Sequence, residues 1–325
     1  MLVPAHNEED IIQRKLENVE QVSYSREKLE VIVIDDGSTD QTVEKANDFA
    51  KNHPDFPLKV LTQNPRKGKA HALNKGLEAS SNDIVVVSDA DAFWPATILK
   101  DALPYLSDTT IGAITGRQIP ENVGQTWVTK AEEGYLDFMF VWRLGESKIH
   151  STIRFEGVFC AFKKNAFREF DCESGADDSG TALRVVQNSF RAILVPEASV
   201  PSKVQPMFRD RMRAKIRRAT QLTGLWLQCF GLLLGRRLKM PKRLAVPEIF
   251  LSLFVPFIFV ALVVVTLLLL VLYPIALIPF VAVLCVVFAI PKTRRYMAQG
   301  ITDQLILFYS LILHARRKRF IMWEN

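Results

Sequence analysis

With 325 residues, of which 49% are hydrophobic, the chain is long enough for one large domain or two. Its net charge of +6 raises nucleic-acid binding, but the positive charge crowds beside apolar segments instead of interleaving with aromatics, which favours a membrane surface and no nucleic-acid partner. Four cysteines, Cys160, Cys172, Cys229 and Cys285, form no CxxC pair, which argues against a zinc site or a disulfide framework and suits a reducing cytoplasm.

From the N-terminus, residues 1–204 alternate short apolar runs with helix-like segments, the pattern of an α/β domain with a largely parallel sheet. Strands are predicted at residues 2–3, 29–34, 58–62, 84–88, 111–116, 157–162 and 192–195, and helices at 8–19, 39–51 and 69–79. Ser38-Thr39-Asp40 offers capping side chains to the second helix. The first strand is shorter than the usual five or so residues, so the domain edge is expected to begin upstream of Met1. Residues 1–10 carry three acids and no apolar core, so no signal peptide is expected there.

Residues 205–243 carry nearly all their charge as Lys and Arg, with Asp210 as the one acid, and Met212, Ile216 and Ala219 recur at helical spacing. Such basic helices lie in a headgroup region. Residues 222–234 are apolar but short for a span and are expected at the interface. From Ile249 to Pro291, 43 residues pass without a charged or histidine side chain. A span needs about 20, so two transmembrane helices are expected within 244–291, turning at Tyr273-Pro274 and Pro279. Residues 292–325 are expected to form a cytoplasmic amphipathic segment, with a surface helix near 304–313, the basic run Arg316-Arg317-Lys318-Arg319 and Trp323. Basic flanks on both outer ends place the soluble domain in the cytoplasm of a multi-pass membrane protein.

The chemistry gathers where strands end. Ser88-Asp89-Ala90-Asp91 closes a buried run of Ile and Val, and extended residues two apart point the same way. Asp89 and Asp91 can therefore share one hard cation, Mg2+ or Mn2+. Taken alone, Asp-x-Asp more readily describes a solvated turn than a metal pair. Two other strand ends, Pro4-Ala5-His6-Asn7-Glu8-Glu9 and Asp35-Asp36-Gly37-Ser38-Thr39-Asp40, are predicted at the same sheet edge, where open α/β sheets bind ligands. Neither glycine-rich phosphate loop pattern occurs. His6 and His71 belong to no ligand cluster. Trp94 and Trp127 could stack on a sugar, although core packing is the commoner fate.

These blocks, with the segment NPRKGKAHALNKGL between them, follow one another as in family 2 glycosyltransferases, and the chain resembles that family over about residues 1–200. The resemblance implies the GT-A fold, a nucleotide-sugar donor (UDP- or GDP-linked) and inversion at the anomeric carbon. It implies that Pro4, Ala5, Glu8 and Asp36 hold the base and ribose, that Gly68 and Lys69 lie near the phosphates, and that Asp89 and Asp91 bind the metal, with Asp89 also at the donor. Gly175-Ala176-Asp177-Asp178 resembles the family's acidic pair, with Asp178 as the base. Three departures are the first acid of that pair, usually Glu and here Asp177, the acid often found two residues after the base, here Gly180, and the Gln-x-x-Arg-Trp signature of processive members, which the corresponding stretch, residues 213–220, lacks. The bland alternatives are that Asp177-Asp178 caps a helix and that Arg217 and Arg218 snorkel to headgroups.

The expected whole is a GT-A domain (1–204), basic interface helices (205–243), a transmembrane hairpin (244–291) and a C-terminal segment (292–325). Its expected activity is single sugar transfer to a membrane-associated glycan or polyprenyl phosphate. A processive polysaccharide synthase, a sugar nucleotidyltransferase and a non-catalytic membrane scaffold are the rivals.

Overall fold

The computed structural model of the protein describes residues 1–316 and falls into two compact units. The first comprises residues 1–211 with 238–241, and the second residues 212–237 with the described chain from 242 onward.

In the first unit, β1 (Leu2–Ala5), β2 (Val31–Asp35), β3 (Leu58–Thr62), β4 (Ile84–Val87), β5 (Ile111–Pro120), β6 (Cys160–Lys163) and β7 (Arg191–Ser202) form one sheet in the order β3-β2-β1-β4-β6-β5-β7. Strand β6 runs antiparallel to both neighbours, and the other pairs are parallel. Helices α1 (Ile12–Glu20), α2 (Thr42–Asn52), α3 (Lys69–Ala79), α4 (Ile98–Ala102), α5 (Trp127–Ile149) and α6 (Asp177–Gln187) fill the connections. Strands β1 and β2 are buried throughout, which is why they read as unbroken apolar runs rather than alternating ones. Parallel β1, β2 and β4 end at one edge, at Ala5, Asp35 and Val87, and the loops that follow meet there.

Two differences from the sequence reading have physical causes. Helix α5 carries no clean apolar stripe, because its inward face includes Glu132, Arg143 and Glu146. Arg143 pairs with Glu156 and donates to the Gly116 carbonyl at 3.0 Å, and Glu132 meets Arg211 at 2.6 Å. Strands β5 and β7 run on past 116 and 195, because a register shift between Thr115 and Arg117 restores their pairing at Arg117↔Ser199. Pro196 and Pro201 are tolerated because β7 lies at the sheet edge.

In the second unit, residues 212–234 belong to α7 (Phe208–Leu234), one helix through the predicted interface region. Helices α8 (Lys242–Ile249) and α9 (Val255–Leu272), joined by a wider π-turn over Phe250–Phe254, make one 31-residue helix containing an 18-residue stretch of mean hydropathy 3.2. At 1.5 Å per residue it reaches about 46 Å, more than a bilayer core of about 30 Å. It is the one helix among the described residues long and apolar enough to cross a membrane.

Of the two expected spans, the described residues show one as a helix of that length. The second apolar stretch is divided into a 3₁₀ turn (Pro274–Ala276) and α10 (Leu277–Ala289), which has 13 residues and reaches only about 20 Å. Prolines set both limits: Pro274 and Pro279 confine the start, and Pro291 pushes Ile290 to extended geometry (φ −93°, ψ 109°). Helix α11 (Pro291–Ala315) follows, longer than the predicted 304–313. It is tied to α7 by Lys215–Asp303 at 2.9 Å and Thr223–Ser310 at 2.8 Å. Residues 317–319 of the basic run, and Trp323, lie outside the described residues.

A Cβ at Gly116 would stand 2.3 Å from the Ala198 carbonyl oxygen, in the stretch where β5 and β7 re-register. Gly116→Ala is expected to cost about 1–3 kcal/mol, read as a lower thermal midpoint. A midpoint equal to the native protein's refutes this packing.

Candidate active site

The first two loops are knitted together by their own polar side chains. The Asn7 amide donates to Ser38 Oγ at 2.9 Å, and Asn7 Oδ1 accepts from the Thr39 amide at 2.9 Å, with Asn7 in left-handed geometry (φ 55°). The amides of Gly37 and Ser38 donate to Asp35, and Asp40 Oδ1 accepts from the Thr42 amide at 3.0 Å. The N-cap of α2 is Gln41, outside the predicted triplet, and Asp40 meets the first helical amide from just before it. Pro4 and Ala5 are buried at the end of β1.

Asp36 is fully buried, and protein donors take its oxygens: Gln63 Nε2 at 2.6 Å, the Lys67 amide at 2.8 Å and the Gly68 amide at 2.8 Å. It organises the turn into α3, in which Gly68 has φ 96°. Lys69 opens α3 and reaches the centre of the site. Its Nζ donates to Asp89 Oδ1 at 2.6 Å and lies 3.4 Å from Asp177 Oδ2, an oxygen with no hydrogen-bond partner.

Five of the predicted residues, Glu8, Lys69, Asp89, Asp91 and Asp178, influence one another electrostatically. Burial opposes the charge on Lys69, but Asp177, Asp89 and Asp178 outweigh it and hold the ammonium well above its ordinary range. Burial and Asp177 push Asp178 up to about 7, against the pull of Lys69. Burial, then Asp91, Asp89 and Asp40, push Glu8 to about 7. Desolvation and Asp89 raise Asp91. Acids that repel one another are what a cation relieves. Among the described residues no third His, Cys, Asp or Glu joins Asp89 and Asp91 in a metal-binding group. Two carboxylates, with the remaining positions left to phosphate oxygens and water, fit Mg2+ or Mn2+.

Three further residues shape the site and escaped the sequence reading. Lys15, fully buried on α1, donates Nζ to Ser88 Oγ at 2.7 Å and to the Ala92 carbonyl. Burial pulls its ammonium down to about 7, against Asp89 and Asp91. Its signal was a lysine inside the apolar stripe Ile12, Leu16, Val19. Gly157 accepts from the Asp89 amide at 3.1 Å, and a Cβ there would lie 2.4 Å from Asp89 Oδ2 and 2.9 Å from Lys69 Nζ. Asp171, buried and paired with Arg184 at 2.9 Å, accepts from Ser174 and holds the loop before the acidic pair. It also explains the departure at Gly180, where a Cβ would stand 2.2 Å from Asp171 Oδ2. No sequence signal marked Gly157 or Asp171.

Asp177 and Asp178 begin α6, and the Ser179 amide donates to Asp178 Oδ1 at 2.6 Å. Ser179 Oγ accepts from the Phe155 amide at 3.1 Å, binding this pair to the loop that carries Gly157. Trp94 is buried, with Nε1 donating to Val158 O at 2.8 Å, and is a core residue as expected. Trp127 is 68% exposed, so core packing does not hold it. His6 Nδ1 lies 3.0 Å from the Asp36 carbonyl oxygen.

The profile of glycosyl transferase family 2 matches residues 1–173. The chain belongs to that family. A mannosyltransferase of Pyrobaculum calidifontis, solved with GDP-Man and Mn2+, has a similar structure, with a TM-score of 0.80 at 31% identity over 98% of this chain and 87% of its own. The first unit thus has the GT-A fold. A probable glycosyltransferase, YdaM of Bacillus subtilis strain 168, is 30% identical over 209 residues, 61% of this chain and 49% of its own. A poly-beta-1,6-N-acetyl-D-glucosamine synthase of Staphylococcus epidermidis is 28% identical over 225 residues, 65% and 52% respectively. The chain spans about half the length of these curated relatives.

Two substitutions test the geometry. Gly157→Ala is expected to displace Asp89 and Lys69 and abolish donor turnover in a folded protein, so turnover near the native rate contradicts the placement. Asp36→Ala should release the loop over 63–68 and speed tryptic cleavage after Arg66 and Lys67, and an unchanged digestion rate counts against its organising role.

Proposed function

We propose that this chain is an inverting, metal-dependent glycosyltransferase that moves one sugar from a nucleoside-diphosphate donor to an acceptor at the membrane, a lipid-linked glycan or polyprenyl phosphate. The observation that carries this reading is the joined cluster of Asp89, Lys69, Asp177 and Asp178 at the sheet edge. The similarity to a GDP-Man-bound mannosyltransferase over nearly the whole chain makes a GDP-linked sugar the first donor to test, with UDP-linked sugars second.

Asp89 and Asp91 would hold Mg2+ or Mn2+, which when bound supplies Lewis-acid stabilisation of the leaving diphosphate. Lys69 stands where its ammonium can turn from Asp89 to a phosphate oxygen. Glu8, Pro4 and Ala5 wall the base side, and Asp36 acts there through the loop it orders. Asp178 takes the proton of the acceptor hydroxyl as that oxygen attacks C1 from the face opposite the diphosphate. The Lys242–Leu272 helix, with its apolar side chains exposed, anchors the chain in a bilayer, and the basic residues of α7 favour the cytoplasmic side.

The similarity to poly-N-acetylglucosamine synthases favours a second reading, processive synthesis. The missing Gln-x-x-Arg-Trp signature favours single transfer. One sugar per acceptor by mass spectrometry supports the first, and a product ladder the second.

Asp178→Asn is expected to lower nucleoside-diphosphate release by about 100- to 10,000-fold, and Asp89→Ala to abolish Mn2+-dependent release, with both proteins folded. Near-native release in Asp178→Asn removes the base assignment. Because the base must be ionised and its carboxyl sits near 7, kcat/KM should rise with pH through about 7 and level off above it. A flat profile on the acid side would contradict this assignment.

A further inference from the structure

The Asp89–Asp91 turn is gripped from behind by one face of α1. Lys15 Nζ donates to Ser88 Oγ at 2.7 Å and to the Ala92 carbonyl oxygen, the residues immediately before and after the acidic triplet. One helical turn on, Asn18 Nδ2 donates to the Trp94 carbonyl at 2.9 Å, and Asn18 Oδ1 accepts from the Trp94 amide at 2.7 Å. The Lys15 ammonium also lies 4.8 Å from the centre of the Trp94 ring. Lys15 and Ser88 are both fully buried, so water cannot replace either contact.

This arrangement is expensive and needs a reason. A buried ammonium carries a desolvation penalty that an apolar side chain of similar length avoids. Its donors reach two points of chain that bracket Asp89-Ala90-Asp91 and make no contact with the carboxylates themselves. A group that bridges both ends of a three-residue turn fixes the directions in which the first and third side chains leave it.

We infer that Lys15 is a positioning residue for the cation site: by bridging Ser88 and Ala92 it sets the Asp89 and Asp91 carboxylates at the spacing that one divalent ion requires. The inference rests on the proposed reading of Asp89 and Asp91 as the metal-binding pair. Residues that orient metal ligands from behind typically alter affinity by about 10–100-fold when removed. Lys15 also places a positive charge near both acids, and charge alone acts in the opposite direction, since its removal would tighten the hold on a cation. The two roles therefore predict opposite signs.

The test is Mn2+ binding to the full-length protein in detergent, followed by electron paramagnetic resonance with GDP or UDP present and no sugar to transfer. Lys15→Met, which keeps the length and removes the donors, is expected to weaken Mn2+ binding by about 10-fold or more. Its thermal midpoint should be equal to or above the native one, because a buried charge is gone. Ser88→Ala removes one of the two acceptors, should shift the affinity the same way by less, and serves if Lys15→Met does not fold. Affinity unchanged or tightened in these variants, while Asp89→Ala abolishes binding, overturns the positioning role and leaves the metal pair standing. Native protein whose Mn2+ binding is indifferent to Asp89→Ala overturns both.

Discussion

The site is organised around the balance of charge at Lys69. One ammonium lies against Asp89 on one side and Asp177 on the other, and without it three acids would face one another in a poorly hydrated cleft. The ion pair joins two parts of the chain that approach from different directions, the end of β4 and the start of α6. Because the pair is short and largely enclosed, it depends on both elements being fixed, and the sheet fixes them. Strands β4 and β6 pair over four residues, from Ile84↔Lys163 to Val87↔Cys160, and the loop before β6 brings Gly157 up to Asp89.

Much of the surrounding polar structure orders backbone instead of meeting solvent. Asp36 gathers the turn before α3, Asp35 gathers the turn after β2, and Asp171 gathers the loop before α6. Each buried carboxylate is matched to amide, amide side-chain, hydroxyl or guanidinium donors, the condition under which burying a charge is tolerable. The acids left with few donors, Asp177 and Asp178, have raised carboxyls, as do Glu8 and Asp91. Strain of this kind concentrates where chemistry is done. It also separates Asp36 from Asp178, two acids that look alike in sequence: one is saturated by protein donors, and the other has its carboxyl raised by burial and by Asp177.

Much of the fold was legible because apolar runs and turn residues are local signals. Six of the strands lie within a few residues of their expected limits, and α3 matches at both ends, since Gly68 and the lysine-rich turn mark its start. Helix α5 was illegible, because its inward face is stabilised by Arg143–Glu156 and Glu132–Arg211 rather than by an apolar stripe. The second apolar stretch forms a helix shorter than composition alone would allow, because Pro274, Pro279 and Pro291 bound it.

By itself the sequence determined the order of the blocks, the acids at the strand ends, the family they resemble and the 43-residue uncharged tract, because each depends on residue type and near spacing. Only the tertiary structure decided that Lys69 meets Asp89 and Asp177, that Asp36 is enclosed, that Gly180 yields its space to Asp171, and that Lys15 braces the Asp89–Asp91 turn from 73 residues away. Those depend on which side chains meet across the sheet. A pairing between distant positions leaves no periodic trace in a single chain, whereas an apolar strand or a run of acids does.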